Sequence, residues 1–272
     1  MKKSINVIIT LVIIIIALYV GYSWIKSNGL LNAPLALNTP ALPSISPTAS
    51  ATPQASPANN NNNTTNQASV AAQYPTVQNV ADPNVQTDLN QAIKNKIDAM
   101  ISSFNSDVKQ NALPNFAQKS SLNISYETSL LDNNVASFKI TNFEYVAGMA
   151  HPSTVINGFN YNLKTNKQIV LTDLFNPGSD FYPALSQICR DDLKNQLTKM
   201  DYYNKDMVEQ GTDPKKPANF SEFVIGQNSF TIIFNQALVA PYVAGTMEVK
   251  IPYSQLAEFN NNSELVKTLL NP

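Results

Sequence analysis

A long amphipathic repeat is the feature that most constrains what this chain can fold into. Apolar side chains recur every three or four residues between Asp82-Pro83 and Leu113-Pro114, at Val85, Leu89, Ile93, Ile97, Ile101, Phe104 and Val108. This spacing places them on one side of an α-helix, and the prolines mark where such a helix begins and ends. A single apolar face of this length needs a partner surface, so we expect the helix to dock on a β-sheet.

Alternating apolar and polar residues predict the strands of that sheet. Residues 121–131 and 135–146 are typical of a hairpin, because Asp132-Asn133-Asn134 between them tolerates the geometry of a tight turn. A third strand is predicted over 155–163 and a fourth over 169–171. Three further strands are predicted at 222–225, 230–234 and 246–253.

A second amphipathic helix is predicted over residues 182–200, with an apolar stripe at Leu185, Ile188, Cys189, Leu193 and Leu197. Cys189 lies on this stripe, which favours a buried core residue over a nucleophile. Helices are inserted between hairpins, and no strand–helix–strand repeat appears. The predicted class is therefore α+β, a mainly antiparallel sheet with two amphipathic helices packed on it.

The amino terminus predicts a membrane anchor. Residues 5–25 are almost entirely apolar and follow Lys2 and Lys3. About 20 such residues span a bilayer, whereas the apolar part of a signal peptide is usually about 7 to 15 residues long. We expect residues 1–26 to be a single-pass transmembrane helix that contacts the lipid bilayer through 5–25, with the amino terminus cytoplasmic and the remainder extracytoplasmic. The alternative is a long signal peptide that is cleaved.

Residues 27–73 differ in composition from the residues after them. They alternate proline with Ser, Thr and Ala, and then run into asparagine. Such a segment buries too little apolar surface to offset the entropy of ordering, which predicts a disordered linker. One extracytoplasmic domain is expected over 74–272, and a sub-boundary near residue 150 is the alternative.

The composition argues against several kinds of chemistry. The net charge is -1, which disfavours nucleic acid. There is one histidine and one cysteine, and no glycine-rich phosphate loop. A catalytic triad, a zinc site or a nucleotide cofactor therefore has no support, and we expect no metal and no cofactor. Carboxylates that converge only in the folded chain remain open as a catalytic pair.

The one histidine, His151, lies in the cluster Gly148-Met149-Ala150-His151-Pro152 between two predicted strands. Three roles are open: a structural imidazole bonded to the backbone, a residue that contacts a ligand or partner, and a catalytic base. Glu144 is the only acid close to it in sequence. Pro152 favours extended backbone before it, and Gly148 frees the turn.

Several ordered motifs in residues 74–260 resemble one family. They are Gly148, Ala150 and His151, then the turn 164–167, the segment 171–175, Pro241, Tyr242 and Gly245, and Ile251-Pro252-Tyr253. This order is similar to the extracytoplasmic domain of unknown function shared by the lysozyme-binding anti-sigma factor RsiV and the peptidoglycan deacetylase PdaC. Met149 stands where that family has a second glycine.

The resemblance implies an α+β domain that faces the cell envelope. The leading hypothesis is a membrane-tethered binding module that contacts peptidoglycan or a lysozyme-like protein, without catalysis of its own and with no catalytic or metal-binding residue. The binding residues that it implies are Gly148, His151, Pro241, Tyr242 and Gly245. The alternatives are a hydrolase or transferase of wall glycan that uses convergent carboxylates, and a subunit of an assembly.

Overall fold

Two β-sheets and five α-helices form the part of the chain that the computed structural model describes, residues 52–60, 68–113 and 116–271. One sheet has six strands and the other has three. The predicted α+β class is confirmed, but the strands divide between two sheets where one mainly antiparallel sheet was expected. Periodicity marks a strand without showing which strand it pairs with, because pairing depends on contacts that are distant in sequence.

The six-stranded sheet follows chain order, so that each strand pairs with the next. Its strands are β1 (Gln54–Asn60), β2 (Ala68–Gln78), β3 (Ser120–Leu131), β4 (Val135–Tyr145), β5 (Ser153–Asn162) and β6 (Lys167–Gln168). All neighbours are antiparallel except β2 and β3, which are parallel. Parallel neighbours need a crossover connection, and helix α1 (Pro83–Asn111) supplies it.

The linker predicted over residues 27–73 is wrong at its C-terminal end, because β1 and the beginning of β2 lie inside it. Ala68, Val70 and Ala72 alternate with more exposed residues and belong to the apolar cluster that α1 covers. Their side chains are small and lie among polar residues, so composition gives little sign of them. Pairing with β3 orders this segment by satisfying its backbone hydrogen bonds.

Helix α1 confirms the predicted amphipathic helix. The carboxylate of Asp82 accepts a hydrogen bond from the backbone N–H of Asn84 at 2.8 Å, and a proline occupies the first turn. The buried side of the helix consists of Val85, Leu89, Ile93, Ile97, Ile101 and Phe104. These side chains form one apolar cluster with sheet residues that include Ile124, Phe138 and Phe159.

The three-stranded sheet carries the second predicted helix. Its antiparallel strands are β7 (Phe223–Ile225), β8 (Ser229–Phe234) and β9 (Met247–Pro252), and the helix is α2 (Tyr182–Lys199). The apolar stripe of α2 is buried in the same cluster as these strands. Cys189 is fully buried there, as predicted, and burial raises the pKa of its thiol, which keeps it protonated and inert. Shorter helices follow at α3 (Lys205–Gly211), α4 (Ala257–Asn260) and α5 (Glu264–Leu270).

Strand β5 joins the two sheets. A Cβ atom at Gly158 would lie 1.9 Å from the carbonyl oxygen of Phe223, so only glycine allows β7 to approach this closely. The amide of Asn160 donates to the same carbonyl at 2.8 Å, and its oxygen accepts from the hydroxyl of Ser137 at 2.7 Å. The backbone N–H of Ile225 donates to that hydroxyl at 2.9 Å. The contact between the sheets therefore combines close backbone packing with a buried polar network whose groups are paired.

No helix among the described residues is both long and apolar enough to cross a bilayer. The anchor predicted at residues 5–25 and most of the predicted linker lie outside the described residues. The described residues belong to one compact unit, Ser50–Pro272.

Gly158→Ala should reduce the free energy of unfolding by about 3 kcal/mol or more, because the new methyl group meets backbone that cannot move aside. Urea denaturation of the protein measures this loss. Gly178→Ala is the matched control: nothing lies within 4 Å of its Cβ position, so only its left-handed backbone contributes, at about 1 kcal/mol. Equal losses for the two variants would contradict the close approach of β5 and β7.

Candidate functional site

The turn between β4 and β5, residues 146–152, presents His151 to solvent. The backbone N–H of Met149 donates to the carbonyl of Val146 at 3.0 Å, which closes the turn. Val146 is buried, whereas residues 149–152 are exposed. The turn therefore has a fixed base and an accessible tip.

Gly148 fits this turn for two reasons. Its φ of 92° lies in the region that favours glycine, and a Cβ atom there would lie 2.5 Å from Cδ1 of Leu113. Met149 stands where the family has a second glycine. Its φ is not positive. Its substitution for glycine therefore does not strain the turn.

The structure brings His151 together with Tyr242, which the sequence motifs place about 90 residues later. The two ring centroids are 4.3 Å apart and the ring planes are tilted by 38°. The hydroxyl of Tyr242 donates a hydrogen bond to the carbonyl oxygen of Pro152. Two motifs singled out in the sequence thus form one surface.

A hydrogen bond to the backbone favours one tautomer of the imidazole. Nδ1 of His151 lies 3.2 Å from the carbonyl oxygen of Pro152. A carbonyl oxygen can only accept, so Nδ1 carries the proton in this bond. The lone pair of the neutral ring is then on Nε2, which is the form that accepts a proton from water or from a ligand.

Side chains of the segment that follows β8 help to place Tyr242 at this position. The amide oxygen of Gln236 accepts from the backbone N–H of Thr154 at 2.9 Å. Asn235 accepts from the N–H of Ile156 at 2.7 Å and donates to the carbonyl of the same residue at 2.9 Å. These bonds attach the segment after β8 to the free edge of β5 and direct it towards the turn.

Pro241 and Gly245 bracket the single 3₁₀ turn Tyr242–Ala244. Gly245 has a φ of 78°, and nothing lies within 4 Å of its Cβ position, so it supplies left-handed backbone and no close approach. Its N–H donates to the carbonyl of Tyr242 at 3.1 Å. Pro241, Gly245 and Gly148 therefore shape the backbone, while His151 and Tyr242 present the functional groups.

Exposed apolar side chains border the ring pair. Leu113 and Met149 are each 54% exposed, and Val243 is 69% exposed. Leu113 contacts the backbone at Gly148, and Val243 follows Tyr242 directly. These residues were not predicted as part of a site, because an isolated apolar residue near a turn carries no signal of its own.

Glu144 does not complete a pair with His151. It lies opposite Ser153 in the β4–β5 register, on the face of the sheet that also carries Phe138 and Ile140 and is covered by α1. Burial raises the pKa of its carboxyl. A hydrogen bond from Asn142 lowers this pKa, and the negative charge of Asp107 on α1 raises it further. The described residues contain no contact between this carboxyl and the imidazole.

Two carboxylates do converge, but an ammonium group lies between them. Lys139 Nζ is 3.1 Å from a carboxylate oxygen of Glu127 and 3.1 Å from one of Glu248. Both carboxylates form an ion pair with the same ammonium group. This arrangement favours a charge cluster that links β3, β4 and β9 over an acid–nucleophile pair. Among the described residues, no three His, Cys, Asp or Glu side chains are placed to hold a metal ion.

The fold and the site define a class: an α+β domain of two linked sheets with an exposed imidazole beside a half-buried phenol. Residues 60–154 match the family model "Deacetylase PdaC", and residues 172–254 match a family of unknown function, DUF3298. The resemblance to the PdaC family inferred from the motifs is confirmed. Most of β5, the strand that contacts both sheets, lies between the two matched regions.

Two curated relatives are similar to parts of the chain. The peptidoglycan-N-acetylmuramic acid deacetylase PdaC of Bacillus subtilis is 25% identical over 176 residues, which cover 62% of this chain and 36% of that protein. An esterase of Mycobacterium tuberculosis is 30% identical over 109 residues, 40% of this chain and 45% of that protein. The chain thus spans less than half the length of either relative.

Two solved structures share the fold. A DUF3298 family member from Bacteroides fragilis has a TM-score of 0.54 at 16% identity. The match covers 82% of this chain and 99% of that protein's chain. A DUF3298 family protein from Pseudomonas aeruginosa has a TM-score of 0.51 at 14% identity. The match covers 78% of this chain and 94% of that protein's chain.

The expectation that the chain has no catalysis of its own is wrong on these comparisons. Relatives named as a deacetylase and an esterase, together with the match to the deacetylase family model, point to hydrolytic activity. The expectation rested on the lack of a triad or a metal cluster in the sequence.

Glu144→Gln should make the protein more stable than wild type at pH 7. Because the folded pKa of Glu144 is raised, its carboxyl contributes stability below its ordinary pKa and loses that contribution as the pH rises through the folded value. Glutamine is neutral at every pH and avoids this loss. The difference should therefore close below about pH 4.

Urea denaturation of both proteins at pH 7 and at pH 3.5 or so measures this difference. Glu258→Gln is the control, because Glu258 is exposed. If Glu144→Gln were less stable than wild type at pH 7, this would contradict the conclusion that burial raises the pKa of the Glu144 carboxyl.

Proposed function

We propose that this chain is a cell-envelope acyl hydrolase that acts on wall glycan at the turn carrying His151. One observation carries the proposal: the imidazole is exposed, with Nδ1 bonded to the carbonyl of Pro152 and the lone pair available on Nε2. The comparisons support the reaction class, since a deacetylase and an esterase both hydrolyse an acyl group.

In the proposed reaction His151 acts as a general base. Nε2 takes a proton from a water molecule while the water oxygen adds to the acyl carbonyl carbon. The tetrahedral intermediate then expels the sugar oxygen or nitrogen, which takes the proton from the imidazolium. The products are a carboxylic acid and a sugar with a free hydroxyl or amine, and the histidine returns to its starting form.

The surroundings of the imidazole suit an amphipathic sugar ring. Tyr242 offers an aromatic body with a polar end, and exposed apolar side chains at Leu113, Met149 and Val243 extend this surface. The substrate class follows from the name of the PdaC relative, which acts on the N-acetylmuramic acid of peptidoglycan. Acylated muramic acid units are therefore the first substrates to test.

The location is part of the proposal. Residues 1–26 would hold the protein in the cell membrane, and the proline- and asparagine-rich residues after them would reach towards the wall. Lysozyme-like proteins, the other partner implied by the family resemblance, stay a prediction that the same purified protein can test by titration.

His151→Asn should reduce kcat for acetate release by about 10²- to 10⁴-fold, because the general base is lost. KM should change little, since Tyr242 and the exposed apolar side chains near it still hold the sugar. The assay measures acetate released from N-acetylated and O-acetylated peptidoglycan fragments, with circular dichroism confirming that the variant is folded. Wild-type protein that releases no acetate from either substrate would contradict the proposal, as would full activity in His151→Asn.

Tyr242→Leu should raise KM for the same fragments by about tenfold, the effect of losing roughly 1.4 kcal/mol of contact. Tyr203→Leu is the matched control, because Tyr203 is an exposed tyrosine on a different surface loop. Equal changes in KM for the two variants would contradict the proposed contact between the sugar and Tyr242.

A further inference from the structure

A cleft of about 410 Å³ runs beside β5, along the part of the strand that β6 does not pair. Its walls come from α1, β5, the 3₁₀ turn Leu171–Leu174, the beginning of α2 and residues 217–223. It shares no lining residue with the His151 turn. A volume of this size falls in the range of small-molecule sites.

Lys96 supplies a cation to the cleft. It lies on α1 and is half-buried, and its ammonium group forms no ion pair or hydrogen bond with any residue that the structure describes. Lys94, two residues earlier on the same helix, instead bonds Asp98 at 2.5 Å. An ammonium without a partner at the wall of a cleft favours an anionic group that reaches it.

Glu222 supplies hydrogen-bond acceptors on another wall. One of its carboxylate oxygens accepts from the backbone N–H of Gly158 at 2.8 Å, which fixes the side chain. The second oxygen has no hydrogen bond within the described part of the chain, and Glu222 forms no ion pair with Lys96. A carboxylate held in this way accepts hydrogen bonds from ligand hydroxyls.

Tyr182 adds an aromatic and a neutral polar group. Its ring stacks on Phe181 with centroids 4.2 Å apart, which fixes its orientation. Burial raises the pKa of its phenol, which therefore stays protonated and able to donate. The amide of Gln168 and the hydroxyl of Thr172 also line the cleft.

We propose that this cleft binds a sugar that carries a carboxylate group. The carboxylate pairs with Lys96, the ring hydroxyls donate to Glu222, and the ring packs beside Tyr182. A neutral sugar would leave the ammonium without a counter-charge, and a simple anion would leave the hydrogen-bond acceptors unused.

The cleft requires both halves of the protein. Lys96 lies in the region that matches the PdaC family model, whereas Tyr182 and Glu222 lie in the region that matches DUF3298. The binding site therefore exists only where the two regions fold together around β5. It is a second glycan site, separate from the proposed hydrolytic site.

Two sugars that differ in the carboxylate test the proposal. Isothermal titration of the full-length protein with N-acetylmuramic acid, which has a lactyl carboxylate, should give binding at least about tenfold tighter than N-acetylglucosamine, which lacks it. Lys96→Gln should remove this preference. Lys94→Gln, on the same helix but outside the cleft, should keep it.

Glu222→Gln should weaken the binding of both sugars severalfold, because it keeps an acceptor for Gly158 but loses the charge-assisted bonds to hydroxyls. Tyr203→Leu, at an exposed tyrosine that lines neither the cleft nor the His151 turn, should leave both affinities unchanged. Equal affinity for the two sugars, no heat with either, or equal effects of Lys96→Gln and Lys94→Gln would overturn the proposal.

Discussion

The approach of β5 to β7 is the contact on which the rest of the structure depends. Gly158 leaves room for the carbonyl of Phe223, and Asn160 and Ser137 pair the buried polar groups between the sheets. Because β5 of the six-stranded sheet lies against β7 of the three-stranded sheet, elements from both halves of the chain surround β5. The turn before β5 meets the segment of Tyr242, and the cleft opens beside Gly158 and Asn160.

The free edge of β5 explains how distant residues reach the site. An unpaired strand edge is a liability, because its N–H groups can pair with another chain. Here the side chains of Gln236, Asn235 and Glu222 accept from three of these N–H groups. The same bonds that protect the edge hold the Tyr242 segment near the His151 turn and hold Glu222 in the cleft.

Local patterns predicted the parts of the fold that depend on local spacing. The limits of α1 followed from its apolar period and its flanking prolines, and the burial of Cys189 followed from the stripe of α2. The linker prediction was wrong where β2 begins, because Ala68 and Ala72 are small residues that become core only when α1 and β3 cover them. The division into two sheets depends on Gly158, whose role is visible only once Phe223 is beside it.

The candidate site was predictable in part. Motifs selected both His151 and Tyr242, but only the folded chain shows that their rings are in contact and that Nδ1 of His151 faces the carbonyl of Pro152. No motif marks Lys96 or Glu222 in the sequence. Whether a charged side chain has a partner depends on which residues surround it in the folded chain. The expectation of a chain without catalysis was wrong for a related reason: it rested on the lack of a triad or a metal cluster, which are the catalytic patterns that a sequence shows directly.

A crystal structure of the protein with an acetylated wall disaccharide tests the central claim most directly. We expect the sugar ring to lie against Tyr242 and its apolar border, with the acyl carbonyl carbon about one water molecule away from Nε2 of His151. A disaccharide bound only at other surfaces, or an acyl group turned away from the imidazole with Nε2 bonded elsewhere, would contradict the claim.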